Sequence, residues 1–417
     1  MPLDAEVLAP LQIIMLRDSL AAERDGLHVE QLEIVFIDGH SGDQVAAAWD
    51  TTAARTEALQ MAFVIEHGEP VAWRKTDVKH PLTLDRQVPA SWEKWLTADR
   101  QLPLLVPNGL PWRVVYWPDE RRFVWTFHHA LLDGRSIARI LHGFLNCLHD
   151  GQPPERLPAT TWFPPDAQTT AKAEQVLGDE FAGLDQNETV PPPESRVSAK
   201  AVRCLGSDFA TRLESYAAAL QVSAPCILTW LWGQAVAHVS ATKAAVVEQV
   251  RCGPPQAGKA GFSMNTLPLV IWRATPDPLE SQLQKFRAHL LAMRGIEAIA
   301  PFDLPPKVNA LANSPWSSVI MIERGTLNHI ADPVNRVESI TLHEFPGETL
   351  TAAAYLLPDL RLEVEGSENQ RLLGAWVELL GLLLESPRTD RGGVAFLSAL
   401  SKMPVACRPV SAQNPRA

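Results

Sequence analysis

His128-His129-Ala130-Leu131-Leu132-Asp133-Gly134 ends the run Phe123-Val124-Trp125-Thr126-Phe127. That run is β-branched and aromatic, the composition of a largely buried strand. Successive side chains on a strand point to opposite faces, so His128 and His129 diverge and only one of them faces a given cleft. From Ser136 onward, Ile137, Ile140, Leu141, Phe144 and Leu148 recur at helical spacing. Asp133 or Ser136 is placed to cap that helix. Strand, tight loop and helix thus follow one another, and Gly134 lets the backbone turn sharply between them. A histidine is set at a strand end, beside a helix start with free N–H groups. Histidine titrates near neutrality, so it accepts a proton and returns it. Taken alone, two adjacent histidines at a strand end more often serve packing or face solvent.

The HHxxxDG pattern resembles the motif of nonribosomal peptide synthetase condensation domains and chloramphenicol-acetyltransferase-like acyltransferases, which pass an acyl group from a thioester to an amine or alcohol. Further segments fit in order. Pro10-Leu11-Gln12-Ile13-Ile14-Met15-Leu16 resembles the family's opening helix. Trp95-Leu96, Asp99-Arg100 and Pro111-Trp112-Arg113-Val114 resemble the approach to the motif strand. Gly261-Phe262-Ser263-Met264-Asn265-Thr266-Leu267-Pro268-Leu269 resembles the family's second long motif, about 130 residues after the first. Pro315 to Glu323 and Leu360-Arg361-Leu362-Glu363-Val364 resemble its C-terminal lobe. There are departures. Arg135-Ser136 stands where tryptophan and serine are frequent, and Arg251-Cys252-Gly253-Pro254 replaces a Gly-Arg-Pro segment. No epimerisation-type segment is visible, and His128 in place of Asp argues against a cyclisation domain.

The resemblance implies an α/β (α+β) fold of two chloramphenicol-acetyltransferase-like lobes in a V-shaped pseudo-dimer, each a mixed sheet flanked by helices. It makes His129 the general base, with Gly134 bringing its backbone N–H to the reacting centre. His128 and Asp133 become structural support of the site. Asp133 pairs with an arginine in the family, and Arg17, Arg135 and Arg251 are all available. Asn265 and Ser263 of the second motif become substrate-binding residues at a tunnel that passes through His129. No cofactor is implied beyond the phosphopantetheine of a partner carrier protein, and no metal.

The chain has 417 residues, beyond the size at which one core keeps growing, so two lobes are expected. The boundaries suggested are 1–165 for the first lobe, 166–200 for a Pro-rich linker, 201–402 for the second lobe and 403–417 for a tail. At 46% hydrophobic and 20% charged the composition is globular. A net charge of −11 argues against a nucleic-acid partner. No uninterrupted apolar run reaches membrane-spanning length, and the acidic start lacks a signal-peptide n-region, so a cytoplasmic protein without membrane contact is expected. Five cysteines, Cys147, Cys204, Cys226, Cys252 and Cys407, show no CxxC pairing, which supports neither a disulfide framework nor zinc.

Periodicity predicts helices over 11–24, 46–59, 136–149, 170–184, 209–220, 225–238, 279–297 and 367–386, a hairpin of 61–65 with 71–74, and strands at 32–36 and 244–250. Trp112, Trp117 and Trp125 cluster around the motif strand, as core or as a tunnel lining. The function expected is that of a free-standing condensation enzyme, since no adenylation segment or carrier-like serine motif is visible. It would join an acyl or aminoacyl group from a carrier-protein thioester to a small-molecule amine in natural-product, antibiotic-type biosynthesis. Ester formation on an alcohol, and a non-catalytic carrier-binding domain, are the alternatives.

Overall fold

The computed structural model describes residues 5–22, 26–75, 82–106, 109–184, 199–253, 256–300, 318–323, 327, 330, 332, 334–345, 350–357, 359–366, 368–386 and 392–403. The first half runs β1 (Ala5–Glu6), α1 (Pro10–Ala21), β2 (Val29–Phe36), α2 (Gly42–Ala54), β3 (Met61–Glu66), β4 (Glu69–Arg74), β5 (Leu82–Leu84), α3 (Trp92–Arg100), β6 (Trp112–Trp117), β7 (Arg122–His128) and α4 (Gly134–Asp150). Helix α5 (Ala167–Glu180) leads to the second half. There follow β8 (Lys200–Leu205), α6 (Gly206–Ala219), α7 (Ala224–Val239), β9 (Ala244–Cys252), β10 (Met264–Trp272), α8 (Leu279–Ala292), β11 (Ser318–Glu323), β12 (Val337–His343), β13 (Leu350–Tyr355), β14 (Leu360–Gly366), α9 (Asn369–Glu385) and α10 (Gly392–Leu400).

Each half builds a mixed sheet covered by helices, the α/β arrangement expected. The first sheet has the order β12-β2-β7-β6-β5, and the second β10-β9-β11-β13-β14-β8. In the second, β11 runs parallel to both its neighbours, β9 and β13. Alternation on β2 explains the first core: Leu32, Ile34 and Phe36 are wholly buried on one face. Helix α2 lays Trp49 against that face, with ring centroids 5.0 Å from Trp125, 5.3 Å from Phe123 and Phe144, and 5.8 Å from Trp112. These edge-on contacts use the preferred aromatic geometry. The tryptophans of the motif region are therefore core. Helix α7 is apolar around its whole circumference because it is buried nearly throughout, and its Trp232 indole donates to Ser318 Oγ at 2.7 Å.

Two placements differ from the sequence expectation. Helix α5, inside the segment read as linker, packs Ala173, Leu177 and Phe181 into the second core. Conversely, Ala260, Phe262, Met264, Leu327, Ile330 and Val337 from the second half lie in the first core, and β12 completes the first sheet against β2. The halves exchange elements, which local periodicity does not reveal because it reports a buried face and not the sheet that buries it. Helix boundaries shift for local reasons. Helix α2 starts earlier than read, because Ser41 accepts from Gln44 N–H while the Gln44 side chain accepts from Ser41 N–H. It stops at Ala54, before a short 3-10 turn at Glu57–Gln60. The tail read over 403–417 lies outside the described residues apart from Met403, which is buried.

Trp49 sits at the centre of the first core, so Trp49→Ala is expected to cost about 3–5 kcal/mol, read by urea unfolding at unchanged far-ultraviolet circular dichroism. A cost below about 1 kcal/mol would contradict this packing.

Candidate functional site

The site forms where β2 begins beside the end of β7, with Val29 opposite His128. His129 N–H donates to His28 O at 2.7 Å, and His128 N–H to Pro111 O at 2.9 Å. The backbone is thereby held on both sides, and the two imidazoles separate. His128 points inward and is buried; its Nδ1 accepts from Ala130 N–H at 3.1 Å, and its Nε2 lies 2.9 Å from Ser19 Oγ. Ser19 Oγ already donates to Leu27 O, so the imidazole proton sits on Nε2 and donates to the serine. Burial, then the neighbouring His28 and His129, push the pKa of His128 well below the usual histidine range. His128 is thus a neutral internal strut.

His129 starts a 3-10 turn and lies on the wall of a partly open cavity shared with His28, Glu30, Met264, Thr266 and Glu344. Its Nδ1 is 2.9 Å from Glu30 Oε1, and its ring meets Phe262 edge-on at 5.8 Å. A carboxylate at Nδ1 favours the proton there and leaves Nε2 as the basic nitrogen. A second hollow is lined by His128, Ser19, Leu27, Val29 and Arg100, on the opposite face of segment 27–30 from His28 and Glu30. Strand alternation sends the two motif histidines to different hollows.

Asp133 corrects the expected arginine pair. Its Oδ1 caps α4 by accepting from Ser136 N–H at 2.8 Å, and its Oδ2 accepts from Ser263 Oγ at 2.6 Å and Ser263 N–H at 3.2 Å. Among its three candidate partners, Arg17 pairs with Glu69, Arg135 donates to Gly253 O, and Arg251 donates to Leu290 O and lies 3.8 Å from Glu297. Two serine donors and a helix N-terminus supply what a guanidinium would. The buried Asp–Arg pair of this lobe is instead Asp99 with Arg113, 2.8 Å apart, to which Thr126 and Gln31 also donate.

Gly134 is the first residue of α4 and is not among the positive-φ glycines. A side chain there would meet only Glu323 Oε1, at 3.7 Å, so the sharp-turn explanation of this glycine does not hold. The second motif is displaced in role too. Ser263 spends its hydroxyl on Asp133. Asn265 is buried, and its amide donates to Glu297 O and Ile299 O, both at 2.8 Å. The cavity is lined instead by its neighbours Met264 and Thr266, because alternation along β10 turns Asn265 to the other face. Neither Ser263 nor Asn265 lies on the His129 cavity.

Sequence reading missed several cavity residues. Glu30 stands in register with Leu32, Ile34 and Phe36 on the buried face of β2, and a carboxylate at the head of an apolar stripe was the available signal. Glu344 lies on the cavity wall, and burial together with Glu30 pushes its carboxyl up to about 7. Burial and Glu30 likewise raise the pKa of Glu323. Gln12 of the opening motif donates to Ala130 O at 2.7 Å and so holds the histidine turn. Among the described residues no cluster of three or more His, Cys, Asp or Glu could hold a metal ion, and no helix is long and apolar enough to cross a membrane. Cys147, Cys204, Cys226 and Cys252 are free thiols, while Cys407 lies outside the described residues.

Asp133→Ala leaves buried N–H groups without acceptors, so a loss of about 2–4 kcal/mol is expected, against about 1 kcal/mol for Ser263→Ala. Equal losses in urea unfolding would show that the Ser263 bond is the whole of the contribution. Glu344 gives a pH-dependent counterpart. Its folded pKa of about 7 lies above the ordinary 4.5, so the folded state holds the proton more tightly. Stability contributed by the protonated form is lost as pH rises through that interval and is constant above it. Glu344→Gln should therefore gain melting temperature relative to the native chain on going from about pH 5 to about pH 8. A difference that is flat or reversed across that range would contradict the raised pKa.

Solved proteins share this fold. The first condensation domain of the calcium-dependent antibiotic synthetase, in complex with a substrate analogue, superposes with TM-score 0.71 at 15% identity, covering 92% of this chain and 98% of that one. The condensation domain of Monacolin K polyketide synthase gives 0.71 at 13% identity, covering 93% and 98%. The epimerization domain from the third module of tyrocidine synthetase B gives 0.67 at 14%, covering 95% and 97%. In sequence, one linear gramicidin synthase protein of Brevibacillus parabrevis is 25% identical over 332 residues, 72% of this chain and 6% of that protein. Another protein of the same synthase is 33% identical over 147 residues, 32% of this chain and 2% of that protein. The chain thus spans a small fraction of the curated relatives it matches. The condensation domain family model matches residues 28–299, through both the histidine motif and the β9–β10 segment, and the chain belongs to the condensation domain family.

Proposed function

We propose that the protein is a condensation enzyme that moves an acyl or aminoacyl group from the phosphopantetheine thioester of a carrier protein to a small-molecule amine, acting as a free-standing unit. The observation that carries this reading is His129 on the wall of a cavity with Glu30 at its Nδ1. Family membership supplies the reaction class, amide formation. The acceptor nitrogen attacks the thioester carbonyl, forming the C–N bond as the carbonyl π pair moves onto oxygen. His129 Nε2 takes the proton that the nitrogen sheds, and Glu30 stabilises the resulting imidazolium. Collapse expels the pantetheine thiolate, which recovers the proton from His129. The start of α4, where Gly134 has no intrahelical acceptor for its N–H, is the donor assigned to the oxyanion in this scheme. His128 and Asp133 touch neither reactant in this scheme; they hold the turn that presents His129.

The test is amide formation from an acyl-pantetheine thioester with a panel of amines and alcohols, read by mass spectrometry. His129→Ala should keep the native melting temperature and lose roughly 10²–10⁴ in turnover. The loss falls at the low end if the acceptor arrives as the free amine. Glu30→Gln should lower kcat, by less than His129→Ala does, with little change in KM for the thioester. Near-full activity of His129→Ala, or ester products alone, would sink the proposal. Thioester binding without turnover in the native chain would leave a carrier-binding domain.

A further inference from the structure

Two hollows meet back to back at the start of β2. Along segment 27–30, His28 and Glu30 face the His129 cavity, while Leu27 and Val29 face the neighbouring hollow. Beyond that segment two side chains continue the partition, Phe345 and Arg100. Phe345 lines the His129 cavity, Arg100 lines the hollow, and the guanidinium carbon of Arg100 lies 4.5 Å from the centroid of the Phe345 ring. The partition is held from both sides. A side chain at Gly26 would strike Arg100 Cγ at 2.7 Å and Arg100 O at 3.0 Å, so the end of α3 sits flush against the turn before β2. Phe345 O accepts from His28 N–H at 3.0 Å, and His28 O accepts from His129 N–H at 2.7 Å. His28 makes both bonds from a left-handed backbone, φ 57°, a conformation that costs a non-glycine residue energy and persists where its surroundings fix it. The separation of Phe345 from the base is thereby set through a single residue. Both chambers carry apolar side chains, Leu11, Met15 and Met264 in the cavity, and Leu20, Leu102 and Leu104 in the hollow.

We propose that Phe345, backed by Arg100, is a specificity-determining wall that limits the length of the acyl chain lying beside His129. This rests on the condensation reading for the identity of the chain, but the wall is measured by binding alone. The acceptor in that reading is a small amine, so the acyl group is the reactant with a chain to accommodate, and methionine and leucine side chains suit its methylene groups. A chain that ends before Phe345 gains with each methylene it buries. A longer one must displace the ring, and behind the ring it meets a guanidinium. Removing the ring alone therefore uncovers a positive charge. Removing ring and charge together joins the cavity to the leucine-lined hollow.

The experiment is calorimetric titration of the full chain with straight-chain S-alkyl pantetheine thioethers, unreactive counterparts of the acyl thioester, from about four to about twelve carbons. In the native chain affinity should rise roughly fourfold with each added methylene and then stop rising at a limiting length. The double variant Phe345→Ala with Arg100→Met should carry the rise past that length, gaining at least roughly tenfold for the chains the native protein binds poorly. Phe345→Ala alone should move the limit less, because the chain end then faces the guanidinium. Far-ultraviolet circular dichroism checks that each variant is folded. Should the double variant fail to fold, Phe345→Leu with Arg100→Met reads the same shift in a smaller step. Affinity that rises through the whole series in the native chain overturns the proposal, as does an unmoved limit in the folded double variants. Amide formation from the matching acyl-pantetheine thioesters is then scored separately. A limit that moves in the double variant, with no turnover in the native chain, keeps the wall and removes the condensation reading. Turnover in the native chain with a limit that the double variant leaves in place keeps the condensation reading and removes the wall.

Discussion

The Asp133 carboxylate is the joint on which the site depends. One oxygen holds the first turn of α4, and the other holds Ser263 from the far half of the chain. Around it, Gly261 O accepts from Asp133 N–H and Ser136 Oγ, while Gly261 N–H donates back to Ser136 Oγ. Gly261 adopts positive φ, and a side chain there would strike Thr160 at 2.9 Å, so the crossing strand segment approaches as closely as glycine permits. A few bonds thus fix the end of β7 against a segment about 130 residues away. The charge is bound by dipoles instead of by an arginine, so the joint carries no second ion whose loss would strand it.

The same local geometry gives two adjacent histidines opposite physical roles. Strand alternation sends one ring into the interior and the other into a cavity. Inside, desolvation keeps His128 neutral, and its two nitrogens become one donor and one acceptor that lock Ser19 and Ala130. At the cavity, His129 keeps partial solvent access and gains Glu30. A carboxylate beside Nδ1 stabilises the protonated ring, which suits a base that must hold a proton briefly and return it.

Much of this was legible in the sequence because the signals were local. The motif strand, the capped helix after it and the divergence of His128 and His129 follow from periodicity and capping alone. The two lobes follow from length and from the spacing of the two long motifs. What escaped reading was long-range. Nothing in the pattern of 337–343 says that this strand pairs with β2, because an alternating strand satisfies either sheet. The same holds for α5, whose apolar stripe fits a linker helix as well as a core one. Asn265 and Ser263 were read as substrate ligands because polar residues in a distinctive motif attract that reading, yet their partners are backbone carbonyls and a carboxylate of the protein itself. Glu30 was visible as an anomaly, a charge on a buried face, but its meaning required knowing that His129 lies beside it.

The fold by itself leaves the reaction open, since condensation and epimerization domains superpose on this chain almost equally well. The distinction therefore resides in what lines the cavity. Here the wall sets one base beside buried carboxylates, Glu30 and Glu344, and beside methionine and leucine side chains. A carboxylate left short of partners destabilises the empty protein and is tolerated where a ligand completes it. Structural pairing is well provided for a short distance away, at Asp99 with Arg113 and at Glu363 with Lys200 and Arg361, so the fold does neutralise buried acids where that serves stability. Glu30 Oε2 is a buried carboxylate oxygen without a hydrogen-bond partner among the described residues, on the same side chain whose Oε1 stands beside His129.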